Sequence, residues 1–507
     1  MRQTQLRTAY VSCGPVSLRD VLPKARFLTG DDIQASSCSA DWQSCRDGDL
    51  FVAVTTADDD GHEHVREAIE NGAKAVVVER LVPVEVPQVI VKDSRVALAR
   101  ICQALAGNPT RELRTIGITG SAGKTVTAML VASIFEAAGE AVGVMSSIGH
   151  SDSLTQQAAN GPTATPAEFA SWLSRMHTAG CQSAVLELSS TALAERRASG
   201  IELDAAILTN IQNVSLREHN RAAAYQKIKQ RIFRLLKNSG TAIVNADDHR
   251  CRSMLAEIDG ACLTFGLHAE ADITANVIER HISEQTFLLS AGDECAPVRT
   301  RIIGDQHVSK CLAAAAAGLV SGLDLATIVR GIEAVERVPG RMERLECGQP
   351  FGVFVDAADS PQRLTLAIKT LAQVTRGRVI VVCGASPECE PAHRALLGRV
   401  MERGAHVPIV TSDEPGKSRI DTITHEVLDG FERPGKAQVI PNRQAAIQFA
   451  LSQAGEGDCV LIAGRGDRVS QIGRGKQSTY DDREVACQWL YQRDEQPMCQ
   501  SRFRVVG

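Results

Sequence analysis

Residues Thr115 to Leu130 read TIGITGSAGKTVTAML: a β-branched run, a glycine-spaced turn, then a stretch suited to a helix. A chain that passes from an apolar strand through three glycines into a helix has few folds open to it. The strand belongs inside a sheet, and the turn presents backbone N–H groups at a helix N-terminus, where an anion is favoured. Strict phosphate-loop spacing puts a glycine five residues before Gly123, and that position is Ile118. The loop reads Gly117-x-x-Gly120-x-x-Gly123-Lys124-Thr125 instead. Its glycines are expected to curl around phosphate, with Lys124 reaching the β/γ-phosphates and the Thr125 hydroxyl completing a Mg²⁺ shell. The competing reading is an ordinary strand–helix turn that carries Gly-Lys-Thr by chance. The strand before it and the helix after it favour the nucleotide.

The same alternation runs through most of the chain. Candidate strands are KAVVVE, TIGIT, SAVLEL, AAILTN, TAIVNA, VFVDA, RVIVVCG, PIVTSD and CVLIAG, most of them leading into a charged helix. Strands alternating with helices predict an α/β fold with parallel sheets. At 507 residues the chain exceeds one core. Turn-rich segments at 107–113 (GNPTREL) and 336–343 (ERVPGRME) divide it into 1–112, 113–336 and 337–507. Glu187 closes SAVLEL, at the carboxyl end of a parallel strand, where open α/β sheets bind ligands. Taken alone it reads equally as a solvated strand-end glutamate.

Composition removes several classes of function. A net charge of −5 with both signs mixed throughout argues against a nucleic-acid protein. No window approaches the roughly 18 apolar residues of a membrane span, and the N-terminus lacks the apolar core of a signal peptide. Fifteen cysteines are scattered with no CxxC pair, several inside apparent strands, as small hydrophobes in a reducing compartment would be. These features predict a cytoplasmic protein without structural zinc.

The order of the remaining segments carries a resemblance. GDLFVAV (48–54) and DGHEHVREAIENGAKAVVVE (60–79) precede TGSAGKT and LELSSTAL. LTN (208–210), YQKIKQRIF (225–233), VNADD (244–248), VPGRMERLE (338–346), VTSDEPG (410–416), LIAGRGD (461–467) and DDREVA (481–486) follow. In this order the chain resembles the Mur ligases, most closely those of the tripeptide synthetase type, from about residue 36 to 490. The resemblance implies a three-domain architecture: a UDP-substrate domain, a central phosphate-loop domain with a parallel sheet, and a Rossmann-like C-terminal domain that takes an amino acid. It also implies an ATP-dependent amide ligation through an acyl phosphate, in cytoplasmic peptidoglycan precursor synthesis, by a monomer acting on small molecules.

Residue by residue, the resemblance assigns Lys124, Glu187 and Lys229 to catalysis. It places Thr125, Glu187 and a carbamylated Lys229 on Mg²⁺, and Gly120, Ser121, Ala122, Gly123, Lys124, Thr125, Val126 and Arg341 on ATP. Trp42, Thr163, Ala164, Thr165, Ser189, Glu195 and Arg197 fall to the UDP-substrate, and Arg394, Asp413, Glu414, Gly464 and Arg468 to the incoming amino acid.

The departures cluster in the motifs. Asp41-Trp42 stands for Asp-Ser-Arg, Ser121-Ala122 for Thr-Asn, and Thr191 for a histidine. Val214-Ser215-Leu216-Arg217 stands for Asp-His-Leu-Asp, with His219 nearby as a candidate stand-in, and Lys310 replaces an asparagine that faces the nucleotide. Asp413-Glu414-Pro415-Gly416 stands for Asp-Asn-Pro-Arg, removing the arginine that pairs with the distal carboxylate of diaminopimelate. Glu388 is a further new acid, and Arg468 stands where an acid would hold the distal amine. These changes disfavour diaminopimelate and make lysine a candidate, against which Arg468 weighs. They also keep open a second class, a relative of altered specificity or one that binds nucleotide without ligating.

Overall fold

The computed structural model describes residues 14–494 except 29, 57, 160, 162, 212–221, 387, 388, 390, 414–419, 469, 474 and 475. Two compact units emerge. One comprises Met1–Ala275, Leu289–Ala296 and Ser309–Ala334, the other Asn276–Leu288, Pro297–Val308 and Val335–Gly507.

In the first unit a small sheet uses β1 (Arg26–Phe27), β2 (Cys38–Ser39), β3 (Leu50–Val52), β4 (Ala75–Val78) and β5 (Gln88–Ile90) in the order β1-β5-β4-β3-β2. Only the β1–β5 pairing is antiparallel. Its larger sheet uses β6 (Arg114–Thr119), β7 (Val142–Ser146), β8 (Gly149–Ser151), β9 (Ser183–Glu187), β10 (Leu203–Leu208), β11 (Leu236–Asn245) and β12 (Ala261–Gly266), in the order β8-β7-β9-β6-β10-β11-β12. All neighbours here are parallel except β7 and β8, which form a hairpin. β6 lies between β9 and β10 and is buried from Thr115 onward. That is why TIGIT reads as one continuous apolar run rather than an alternating one.

Three helices frame the glycine loop. α1 (Lys124–Ala137) follows it directly. α2 (Pro166–Thr178) begins at a capping box: the Thr165 hydroxyl accepts from Glu168 N–H, the Glu168 carboxylate accepts from Thr165 N–H, and proline fills the first turn. The face it buries carries Phe169, Trp172, Leu173 and Met176, packed with Leu186, Leu188 and Leu193. α3 (Ala222–Gln230) brings in Tyr225 and Lys229. The alanine-rich run around 311–317 is fully buried in the helix Asp305–Val320, as its small side chains suggest.

The second unit holds a parallel sheet of β13 (Gly352–Asp356), β14 (Val379–Ala385), β15 (Val407–Ser412) and β16 (Cys459–Ala463), ordered β13-β16-β14-β15. Helices on both faces cover it with two separate aliphatic clusters, as a doubly wound sheet requires. No helix among the described residues is long and apolar enough to cross a membrane, and no disulfide joins the cysteines among them.

Candidate active site

The loop between β6 and α1 is built by its glycines. Gly120 and Gly123 have φ of 154° and 87°, where a side chain is strained. A Cβ on Gly120 would stand 1.9 Å from Thr209 Oγ1, and one on Gly123 would stand 2.9 Å from Lys310 Cε. The neighbouring segment Thr209–Asn210 clamps the loop from the side. Thr209 Oγ1 and Asn210 Nδ2 both donate to the Ala122 carbonyl at 2.7 and 2.9 Å, and Ala122 N–H donates to Asn210 Oδ1 at 2.9 Å. Ser121 Oγ meets Tyr225 Oη at 3.1 Å. The turn is therefore held open from outside, leaving its inner side to an anion.

At its helical end the charged groups converge. Thr125 Oγ1 donates to Glu187 Oε2 at 2.9 Å, and Ser147 N–H donates to the same oxygen at 3.1 Å. Lys124 Nζ donates to the Gly120 carbonyl at 3.2 Å and stands 3.7 Å from Glu187 Oε1. Lys229 is fully buried, and its Nζ donates to Thr119 Oγ1 at 3.1 Å and to the Gly120 carbonyl at 2.9 Å. Lys124, Thr125, Glu187 and Lys229 thus gather on one loop, brought in by β6, β9, α1 and α3. The Thr125 hydroxyl and Glu187 carboxylate are hard oxygen donors side by side, the set Mg²⁺ takes beside substrate phosphates. Val126 is buried on the core side of α1.

Beside Glu187 lies a small, solvent-open pocket. Ser147, His150, Thr163, Ala164, Phe169, Glu187 and Ser189 contribute to its wall. Thr163 Oγ1 and Ser189 Oγ lie 2.9 Å apart, and Ser189 Oγ also accepts from Ala192 N–H. Arg197 pairs with Glu195 at 2.6 Å and donates to the Thr163 and Ala164 carbonyls at 3.3 and 3.4 Å, tying that strip in place. The structure thus brings together Thr163, Ala164, Ser189, Glu195 and Arg197. Thr165 differs in using its hydroxyl to cap α2. Trp42 stands in a short 3₁₀ turn of the small sheet's domain, stacked on His64 at 5.9 Å.

In the second unit Asp413 is almost fully buried at the end of β15. Arg468 Nη1 stands 3.6 Å from Asp413 Oδ2, and its Nη2 stands 3.7 Å from Asp359. Gly464 adjoins Asp413. The buried Arg394 ion-pairs with Glu426, and Arg341 pairs with Asp467 at 2.6 Å. Glu414, Gly416, Glu388, His219 and the 214–217 segment lie outside the described residues.

Sequence reasoning gave no role to Ser147, His150, Asn210, Tyr225 or Arg443. Asn210 and Tyr225 lie in segments that carried the resemblance, so a signal existed. Ser147 and His150 sit on a hairpin with none.

Comparison with known proteins places the chain in a family. Residues 118–318 match the Mur ligase middle domain, and residues 340–466 match the Mur ligase glutamate ligase domain. The chain is 34% identical over 446 residues to the UDP-N-acetylmuramoyl-L-alanyl-D-glutamate–2,6-diaminopimelate ligase of Geobacillus kaustophilus (strain HTA426), covering 87% of this chain and 91% of that one. It is also 34% identical over 449 residues to the UDP-N-acetylmuramyl-tripeptide synthetase of Roseiflexus sp. (strain RS-1), covering 84% and 88%. Among solved structures, a UDP-N-acetylmuramoyl-L-alanyl-D-glutamate–2,6-diaminopimelate ligase superposes with a TM-score of 0.70 at 24% identity, covering 95% of this chain and 100% of that one. A MurF ligase from Thermotoga maritima in complex with ADP gives 0.62 at 20% identity, covering 90% and 98%.

Fold and phosphate loop together define an ATP-dependent ligase. The chain belongs to the Mur ligase family, with its UDP-N-acetylmuramyl-tripeptide synthetases and diaminopimelate ligases.

Proposed function

We propose that this protein adds the third amino acid to UDP-N-acetylmuramoyl-L-alanyl-D-glutamate in peptidoglycan precursor synthesis, at the expense of ATP. The observation that carries the reading is the Lys124–Thr125–Glu187 constellation on an open glycine loop, beside a pocket bounded by Thr163 and Ser189. The donor carboxylate attacks the γ-phosphorus of ATP, and ADP leaves. The acceptor amine then attacks the acyl phosphate carbonyl, expelling phosphate and giving up its proton to solvent. Charge spreads over the transferring phosphoryl oxygens in the first step. Lys124 and the N–H groups at the start of α1 are preorganised to offset it, already oriented by Glu187 and by the Thr209–Asn210 clamp. Thr125 and Glu187 would hold Mg²⁺, which would supply further charge neutralisation.

Lys229, buried at the same loop, is the residue assigned as a carbamate, and its replacement by alanine should be partly rescued by short carboxylic acids. A fully active Lys229→Ala protein would remove that role. The segment 1–112 is assigned the UDP moiety and 337–507 the acceptor, with Arg341 on the nucleotide, in a cytoplasmic monomer. Gly416, where relatives that add diaminopimelate carry an arginine, supports an acceptor without that distal carboxylate, with lysine a candidate against which Arg468 weighs.

The test is phosphate release by the purified protein with ATP, Mg²⁺ and the UDP-dipeptide, against L-lysine, meso-diaminopimelate and L-ornithine, with product masses. Release tied to one amino acid, with a product heavier by that residue, is the expected result. Silence across the panel with ATP still bound would assign the chain instead to a nucleotide-binding relative that does not ligate.

A further inference from the structure

The β7–β8 hairpin carries two polar side chains into one region. Ser147, at its turn, is bound to Thr125 and Glu187. His150, three residues on, lines the adjoining pocket and is 8% exposed. Register fixes it there: His150 pairs with Met145 on β7, and its ring lies edge-on to Trp172 of α2, with centroids 5.4 Å apart at 62°. Its Nδ1 is buried; the adjacent Gly149 carbonyl lies close enough to favour a proton on the ring, yet no group among the described residues meets Nδ1 in hydrogen-bond geometry. A buried imidazole nitrogen left unpaired costs free energy that burial of the ring does not require, because phenylalanine would fill the same slot against Trp172. The rest of the wall is apolar or already engaged. Phe169 and Ala192 make part of it apolar, Thr163 and Ser189 are already bonded to each other, and Glu187 is engaged with Thr125 and Ser147.

We infer that His150 is a binding residue for the acyl donor, its imidazole hydrogen-bonding a peptide amide of that substrate in the pocket beside Glu187. Burial lowers the imidazole's affinity for a proton, with the Glu168 carboxylate and the Gly149 carbonyl acting the other way. A neutral ring both donates and accepts, so an amide suits it better than a carboxylate, which would also meet Glu187 in the same wall. The inference rests on the ligase reading, since the donor is the peptide-bearing substrate of that reaction.

The test is donor affinity measured by calorimetry and by KM for the wild-type protein, His150→Phe and His150→Gln. His150→Phe keeps the ring packing and removes the hydrogen bond. The donor KM and Kd are expected to rise about tenfold, with the KM for ATP changed less than about twofold, since the loop contacts remain. His150→Gln, which keeps a donor and an acceptor, is expected to recover part of the loss. A folded His150→Phe protein with wild-type donor affinity would overturn the inference while leaving the ligase reading standing. Should His150→Phe fail to fold, a His150→Gln protein no better than His150→Ala at holding donor would overturn it equally. Absence of donor binding by the wild-type protein would overturn the ligase reading, and this inference with it.

Discussion

The glycine loop and the surroundings of Asp413 are both buried and both charged, yet they are finished to different degrees. At the loop Thr125, Ser147 and Lys124 all address Glu187, and the turn itself is clamped by Thr209 and Asn210. Around Asp413, Arg443 makes a bidentate pair with Asp482 at 2.8 and 2.7 Å, but Arg443 Nη1 and Asp413 Oδ1 stay 3.9 Å apart without a hydrogen bond among the described residues. Buried polar atoms of this kind are costly unless something meets them. The difference teaches that the loop assigned to phosphate is preorganised by the chain alone. The region assigned to the acceptor is held by a rigid ion pair and leaves polar atoms over.

The comparison is most exposed to attack at Arg443. Its pair with Asp482 is nearly inaccessible to water, and Arg443→Ala would strand the carboxylate, so about 3–5 kcal/mol of stability should be lost in denaturant unfolding. A loss below about 1 kcal/mol would show that Asp482 is relieved by water or protonation, and that the pair is not the rigid element claimed.

Lys124→Ala should reduce ATP-dependent phosphate release by about a hundredfold to a thousandfold, with the melting temperature nearly unchanged because the lysine is only partly buried. Retained turnover would sink the assignment of the loop. Gly120→Ala comes next. Its Cβ would overlap Thr209 Oγ1 at a φ hostile to side chains, and about 1–3 kcal/mol of stability should go together with ATP affinity. Normal ATP binding by that variant would mean the clamp is pliable rather than preorganised.

The smallest expected effect concerns the base of the hairpin that carries Ser147 and His150. Burial alone would raise the Asp152 carboxyl, but the Thr155 N–H and hydroxyl and the Arg175 guanidinium outweigh it and hold the pKa below the usual carboxylate range. A lowered folded-state pKa gives stability that is present above the unfolded value of about 4 and is lost as pH falls through the folded one. Asp152→Asn should therefore cost about 1 kcal/mol near neutral pH, and the gap to wild type should close below pH ~4. A gap that does not vary with pH would show that shape rather than charge holds the hairpin.

Much of this was legible in the chain itself. All nine strands named from their apolar runs are present, because strands buried on both faces of a parallel sheet cannot afford polar interruptions. That Lys124 and Thr125 would meet Glu187 was also readable, since the resemblance placed them together by fixed residue types at fixed spacing. The hairpin was harder. GHS at 149–151 is too short and too polar to announce a strand, and nothing in it says that Trp172 will lie against His150.

What the sequence determined alone, then, is the alternation of strand and helix, the glycine loop and the identity of the residues proposed to meet phosphate, because these follow from local backbone preference and short-range spacing. Tertiary structure decided which distant groups meet: Ser147 with Glu187, Tyr225 with Ser121, His150 with Trp172, Arg443 with Asp482. Such meetings depend on sheet order and helix packing, which bring together residues up to about a hundred positions apart along the chain, and no local pattern encodes them.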